Sequence, residues 1–276
     1  MNGEKNKIRK KIVGTVVILA IMITLFVYWR LPSNWKEKIL FPVNMPHVAT
    51  VAVTNHTNNH IFDEKIWIHR VNSVERAKIM TQKYKGIEMD IIWEPDSNHF
   101  YVAHDPNPEI YLPLDKMFEG VDNIQEHYFW LDFKNLDEEN AVLALGYLLK
   151  LVAKYKINQK NIIVESMDPY LLSDFTTAGF TTSFYLPTWD FNPYVASEKV
   201  TADYAKNIDA MLLKSNVNFL SSDYLSYRFI KKYFPDSQIL LWHLENNRFT
   251  PYVRKKLIGD DHVHVVLVDE FSEGYR

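Results

Sequence analysis

The chain has 276 residues, 47% hydrophobic and 24% charged, an ordinary globular balance with enough apolar material for one large domain or two small ones. A formal net charge of -3 leaves no surplus of Lys and Arg for a run of phosphates, which excludes a general nucleic-acid binder. There is no cysteine, so disulfides, thiolate metal sites and a cysteine nucleophile are excluded as well.

The first eleven residues, MNGEKNKIRKK, carry a cluster of Lys and Arg, and the stretch Ile12 to Trp29 that follows holds no charge. Its eighteen residues, at about 1.5 Å of helical rise each, span roughly 27 Å, close to the hydrocarbon thickness of a bilayer. The pattern predicts a transmembrane anchor over 12–29, with 1–11 as a basic cytoplasmic tail and everything after it outside the cytoplasm. A cleaved signal peptide would have a shorter apolar run and a small-residue cleavage site, whereas this run ends in Tyr28, Trp29 and Arg30. Residues 30–63 read as a membrane-proximal linker, punctuated by Pro32, Pro42 and Pro46, with one short strand in VATVAV. His56 and His60 have metal-like spacing there, but their surroundings, TNHTNNH, read as surface loop.

From residue 64 to 276 a rhythm sets in. Apolar, β-rich runs occur at 65–69, 86–92, 128–133, 161–166, 180–186, 218–223, 238–243 and 264–269. Helical patterns fall at 73–84, 137–156, 168–178, 192–212, 223–234 and 250–257. Strand alternating with helix implies a parallel sheet, and eight candidate strands predict a TIM (β/α)8 barrel over an open doubly wound sheet. FYVAHD, 100–105, reads as an extra strand after the second barrel strand. Neither a GxGxxG nor a GxxxxGK[ST] pattern occurs, so a dinucleotide fold and a P-loop have no support.

Charged residues interrupt the strand ends. His69 and Arg70 close the first run, Glu88 and Asp90 sit inside the second, His104 and Asp105 end the extra strand, and Asp132 and Lys134 end the third barrel strand. Burying unpaired charge costs several kcal/mol, so this placement needs a reason. The C-terminal strand ends of a parallel barrel share one face, where active sites are built, and residues two apart on a strand point the same way. Three converging carboxylates repel one another unless a cation joins them, and all-oxygen ligation selects Ca2+ or Mg2+. Two histidines beside such an ion suit general acid and base work. Each residue also has a plainer reading, as a hydrogen-bonded structural histidine, a barrel-end ion pair or a helix cap. Glu165, Trp242 and His243 also end strands and are candidates for the far wall of the pocket.

The ordered set, His-Arg at a first strand end, then E-x-D, then His-Asp, then an acidic residue two before Lys, resembles the glycerophosphodiester phosphodiesterase superfamily. These are TIM barrels related to phosphatidylinositol-specific phospholipase C. The resemblance covers Ile66 to Asn135 by motif and the remainder by architecture. It implies His69 and His104 as the acid/base pair, Glu88, Asp90 and Asp132 as metal ligands, and Arg70 and Lys134 as phosphate-binding residues. Three features depart from the pattern. Val71 stands where the family has glycine, Asp132 where it has glutamate, and only 23 residues separate His104 from Tyr128, too few for the usual insertion. The opening HRVNS is also similar to the menorin branch. The function this implies is a metal-dependent phosphodiesterase acting outside the cytoplasm on a glycerophosphodiester, a lipid head group or a cell-envelope polymer. The alternatives are a non-catalytic phospholipid- or polymer-binding barrel with a decayed site, and a glycoside hydrolase using Glu88 or Glu165 as acid, which leaves the histidine pair, Arg70 and Lys134 without a role.

Overall fold

The structure, a computed structural model, describes residues 15, 17–23, 62–105, 111–186, 198–244, 246 and 250–270. The strands in chain order are β1 (Ile66–Ile68), β2 (Gly86–Glu94), β3 (His99–Val102), β4 (Leu112–Pro113), β5 (Tyr128–Phe133), β6 (Ile162–Ser166), β7 (Thr181–Tyr185), β8 (Phe219–Asp223), β9 (Ile239–Trp242) and β10 (Val263–Val268). Eight of them pair in parallel in the order β1-β10-β9-β8-β7-β6-β5-β2. The ring closes through Ile68 against Ile87, the β1–β2 pairing. This is the predicted eight-stranded barrel. β3 and β4 run antiparallel outside it, as a flap on the upper half of β2.

Helices alternate with the barrel strands: α1 (Val74–Thr81), α2 (Leu114–Glu119), α3 (Ala141–Tyr155), α4 (Leu172–Thr177), α5 (Glu198–Leu212), α6 (Tyr227–Tyr233) and α7 (Thr250–Ile258). Parallel neighbours need such crossovers, and the helices screen the outer face of the sheet. Strand alternation then sorts the side chains. Ile87, Met89 and Ile91 of β2 face outward into the helix layer with Leu131, Ala144 and Leu148. A second apolar cluster, Phe62, Trp67, Tyr128, Trp130, Ile163, Phe219, Leu240, Val265 and Leu267, fills the barrel interior. Phe62 closes its lower end, edge-on to Trp67 and Tyr128 at 4.9 and 5.2 Å between ring centroids.

Gly86 shows how tight that interior is. A Cβ built on it would overlap the indole of the fully buried Trp67. Gly86→Ala should therefore destabilise the barrel by about 1–3 kcal/mol, the usual cost of overpacking. Thermal denaturation measures it, and an unchanged midpoint would mean that Trp67 does not pack under β2.

Several expectations shift. FYVAHD does supply the extra strand, β3, but β4 and the short helix α2 were not expected. Of the predicted span 12–29, residues 15 and 17–23 are described; they are helical, with side chains such as Ile18 and Met22 exposed. Among the described residues no helix is long and apolar enough to cross a membrane. The rest of that span, VATVAV, His56 and His60 lie outside the described residues.

Candidate active site

The turn after β1 positions the site. His69 donates its backbone N–H to Val268 O at 3.0 Å, continuing the β1–β10 ladder by one residue. Arg70 then takes a left-handed conformation, φ 53, which few non-glycine residues adopt. That turn aims its amide at Glu88 Oε2, 2.6 Å away. Val71 donates to Glu88 O at 2.8 Å and buries its side chain in the helix layer. Asn72 grips Asp90 twice, donating to Oδ2 at 2.7 Å and accepting from the backbone N–H at 3.1 Å. Ser73 caps α1, accepting from Arg76 N at 3.2 Å. Each residue of HRVNS thus has a physical task, and the compressed loop is a clamp on β2.

β2 carries Glu88 and Asp90 into the barrel mouth, register-paired with Trp130 and Asp132 of β5. Above this level the Asn135 side chain bridges the two strands, accepting from Trp93 N at 2.8 Å and donating to Trp93 O at 2.9 Å. The flap brings the chain back: Ala103 N donates to Asp90 O at 3.0 Å, which delivers His104 to the rim.

One oxygen from each of Glu88, Asp90 and Asp132 lies within 4.8 Å of the others. Lys134 donates to Asp90 Oδ1 at 2.8 Å and to Asp132. Burial pushes the Glu88 carboxyl well above the usual carboxylate range, and the charges of Asp90 and Asp132 push it further. Burial would also raise Asp90, but the Lys134 ammonium and the Asn72 amide outweigh it and hold that carboxyl below its ordinary value. Asp132 is raised, with burial outweighing the opposing pull of Lys134. Burial disfavours the Lys134 ammonium, yet Asp132 and Asp90 raise it, so it stays charged. One lysine therefore compensates one carboxylate well and leaves the set short of positive charge. Three hard oxygen donors with that deficit fit a divalent cation such as Ca2+ or Mg2+.

His69 Nδ1 sits 3.0 Å from Asp269 Oδ1, just beyond β10, and its Nε2 is 3.9 Å from Glu88 Oε2. A carboxylate at Nδ1 fixes the tautomer and leaves Nε2 as the working nitrogen. His104 is more exposed, with Nδ1 3.2 Å from Asp105. Arg70 is largely exposed and brings Nε to 3.9 Å from Asp90 Oδ2. Both histidines, Arg70, Lys134 and the triad line one cavity of about 650 Å3, within the range of small-molecule sites.

Glu165 and Trp242 line the same cavity, in the half of the mouth built by β6 to β9. Burial, then the charge of Asp132, hold Glu165 well above the carboxylate range, against the hydrogen bond donated by Ser221. His243 does not line it. Strand alternation turns it away from its neighbour Trp242, into the helix layer, where its ring meets Tyr224 edge-on at 4.3 Å. Burial and then Arg254 lower it to about 4, so it is a neutral structural group near pH 7. Sequence reasoning missed Asn72, Asp269 and Ser221 as site residues. Asp269 was visible as one more acidic strand end, and Asn72 stands in the HRVNS motif; nothing local marks Ser221.

No protein-family model matches the chain, and no curated protein does. Solved structures do. A glycerophosphodiester phosphodiesterase from Parabacteroides distasonis superposes over 74% of this chain and 92% of its own, at 12% identity and a TM-score of 0.53. An Oleispira antarctica phosphodiesterase, solved in complex with the product sn-glycerol-3-phosphate, superposes over 75% and 93%, at 10% identity and a TM-score of 0.51. The chain has the TIM-barrel fold of the solved glycerophosphodiester phosphodiesterases.

Proposed function

We propose that the chain is a metal-dependent phosphodiesterase, anchored by residues 12–29, with its barrel outside the cytoplasm. The observation that carries the reading is the convergence of His69 and His104, from separate strand ends, on one cavity with an oxygen triad and the cations Arg70, Arg76 and Lys134. Glu88, Asp90 and Asp132 would hold Ca2+ or Mg2+, which supplies positive charge against the phosphoryl oxygens when bound. Arg70 and Lys134 add further positive charge for the phosphate. One histidine takes the proton of the attacking hydroxyl or water as its oxygen bonds to phosphorus, and the other protonates the departing alcohol oxygen. Asp269 keeps His69 oriented for either role. The fold neighbours support a phosphodiester substrate, and the Oleispira protein's bound product supports a glycerophosphodiester in particular.

The test is hydrolysis of glycerophosphocholine and bis(p-nitrophenyl) phosphate by the full chain in detergent, with Ca2+ or Mg2+. Turnover should vanish on chelation and return on adding the ion. Absence of turnover with retained phosphate binding would make the barrel a binding module.

The charge-free run behind a basic tail supports the location. The chain should resist carbonate extraction, and protease added to intact cells should digest the barrel. A protected barrel would overturn this topology.

A further inference from the structure

The cations Arg70, Arg76 and Lys134 all border the cavity, and two of them face carboxylates of the triad. Lys134 is bonded to Asp90 and Asp132, and Arg70 Nε lies 3.9 Å from Asp90 Oδ2. Arg76, in the first turn of α1, is placed differently. Among the described residues it forms no ion pair. Its charge reaches Glu270, but that carboxylate is already held by Lys83 and Tyr84. Asp269, another acid at the cavity, is taken by His69 at 3.0 Å. Of the five N–H donors on the guanidinium, one reaches an acceptor, from Nη2 to His69 O at 3.4 Å. The buried Nε–H meets none.

The turn after β1 fixes where that guanidinium stands. His69 O and Arg70 N–H belong to one trans peptide and point in opposite directions. Arg70 N–H faces Glu88 Oε2 at 2.6 Å, so the Arg76 group at His69 O lies across that peptide from Glu88. Arg70 and Lys134 therefore serve an anion held at the triad, and Arg76 is offset from it. A cavity-lining guanidinium with unused donors and no counter-charge is complementary to an anion, and its planar fork matches carboxylate or phosphate. We propose that Arg76 receives a second anionic group of the substrate, a carboxylate or phosphate on one of the two alcohols esterified to the scissile phosphate. The preferred diester then carries a negative charge beyond its phosphodiester. This rests on the phosphodiesterase reading of the same cavity, and its test separates the two.

The experiment is calorimetric binding to the full chain in detergent with Ca2+, in a His104→Ala background that slows turnover. Glycerophosphoserine and glycerophosphoethanolamine differ only in a carboxylate; glycerophosphoglycerol and its terminal phosphate ester differ only in a phosphate. In at least one pair the more anionic ligand should bind at least about tenfold tighter, as one charge-assisted contact provides. The pair that shows the preference identifies the group. Arg76→Gln should bring that ratio below about threefold, and Arg76→Lys, which keeps the charge without the fork, should fall between. If the glutamine variant does not fold, the lysine variant carries the same comparison. Absence of a preference or of any binding overturns the proposal, as does a preference that survives both substitutions. Equal losses for both members of each pair also overturn it, and make Arg76 a prop for the His69 turn. Hydrolysis of bis(p-nitrophenyl) phosphate, which has no second anion, by the chain with His104 intact reports on the phosphodiesterase reading alone. Turnover without a binding preference keeps that reading and removes the anion subsite; a preference without turnover does the reverse.

Discussion

Glu88→Gln should abolish divalent-ion binding and, in the absence of any ion, leave the barrel more stable than the unaltered chain at neutral pH. The two effects share one cause. The Glu88 carboxyl is fully buried, and like charges of Asp90 and Asp132 add to the cost of ionising it. Its folded pKa lies above its unfolded value, so its stabilising contribution is complete below the unfolded pKa and is lost as pH rises toward the folded one. Ion-free barrel should therefore weaken as pH climbs from about 4.5 upward, and the glutamine variant should lose much of that slope. Glutamine keeps an oxygen to accept from the Arg70 amide, so the turn survives. Ion binding reverses the preference, because the ligands must be ionised: loading should release protons, and affinity should rise with pH. Asp132→Asn should behave in the same direction, since that carboxyl is also raised. Asp90→Asn should abolish binding without the ion-free gain, because Lys134 and Asn72 already hold Asp90 ionised. Asn72→Ala, which removes a grip on Asp90 and no ligand, should cost about 10–100-fold in affinity. Calorimetry and denaturation across pH measure all of this. Unchanged ion affinity in the three carboxylate variants would refute the site.

The contrast between Asp90 and its neighbours marks what could be read in advance. Period-two patterning on β2 puts Glu88 and Asp90 on one face, and parallel topology brings the strand ends to one rim. Those two inferences suffice to assemble His69, Glu88, Asp90, Asp132 and Lys134. They say nothing of which carboxylate the lysine serves, because that depends on side-chain reach across β5 and not on spacing along it. The same limit hid Asp269, whose partner His69 is 200 residues away. It hid Asn72 as well, since an Asn after a strand reads as loop. His243 departs from its expected place for a different reason: a strand end alone does not decide which way a side chain points, and the residue adjacent to an inward Trp242 must point outward. β4 and α2 escaped notice because elements of two and six residues carry too little periodicity to stand out. In α3, the predicted start at Asp137 and the observed one at Ala141 differ by a capping turn. There the Asp137 carboxylate accepts from the N–H groups of Glu139 and Asn140.

His69→Ala and His104→Ala should each lower turnover of an unactivated diester by about 10²–10⁴-fold, the usual contribution of positioned proton transfer. The losses should not multiply in the double variant, because both groups serve one transition state. The structure makes the pair unequal in a testable way. His69 is held from behind by Asp269 at 3.0 Å, a partly buried contact, whereas Asp105, beside His104, is largely exposed. An exposed ion pair contributes little, so Asp105→Asn should leave the rate nearly unchanged. Asp269→Asn should lower turnover, because the amide can present its N–H₂ to Nδ1 and favour the wrong tautomer. Its effect should be absent in a His69→Ala background, which distinguishes positioning of that ring from general damage to the barrel. A diester with a p-nitrophenolate leaving group then assigns the roles, since such a group departs without protonation. The histidine that acts as acid becomes nearly dispensable on that substrate, and the one that acts as base does not. If His69 is the base, Asp269→Asn should remain harmful on the activated ester; if His69 is the acid, both substitutions should become mild together. Full activity of both single histidine variants on an unactivated diester would mean that the barrel does not use this chemistry.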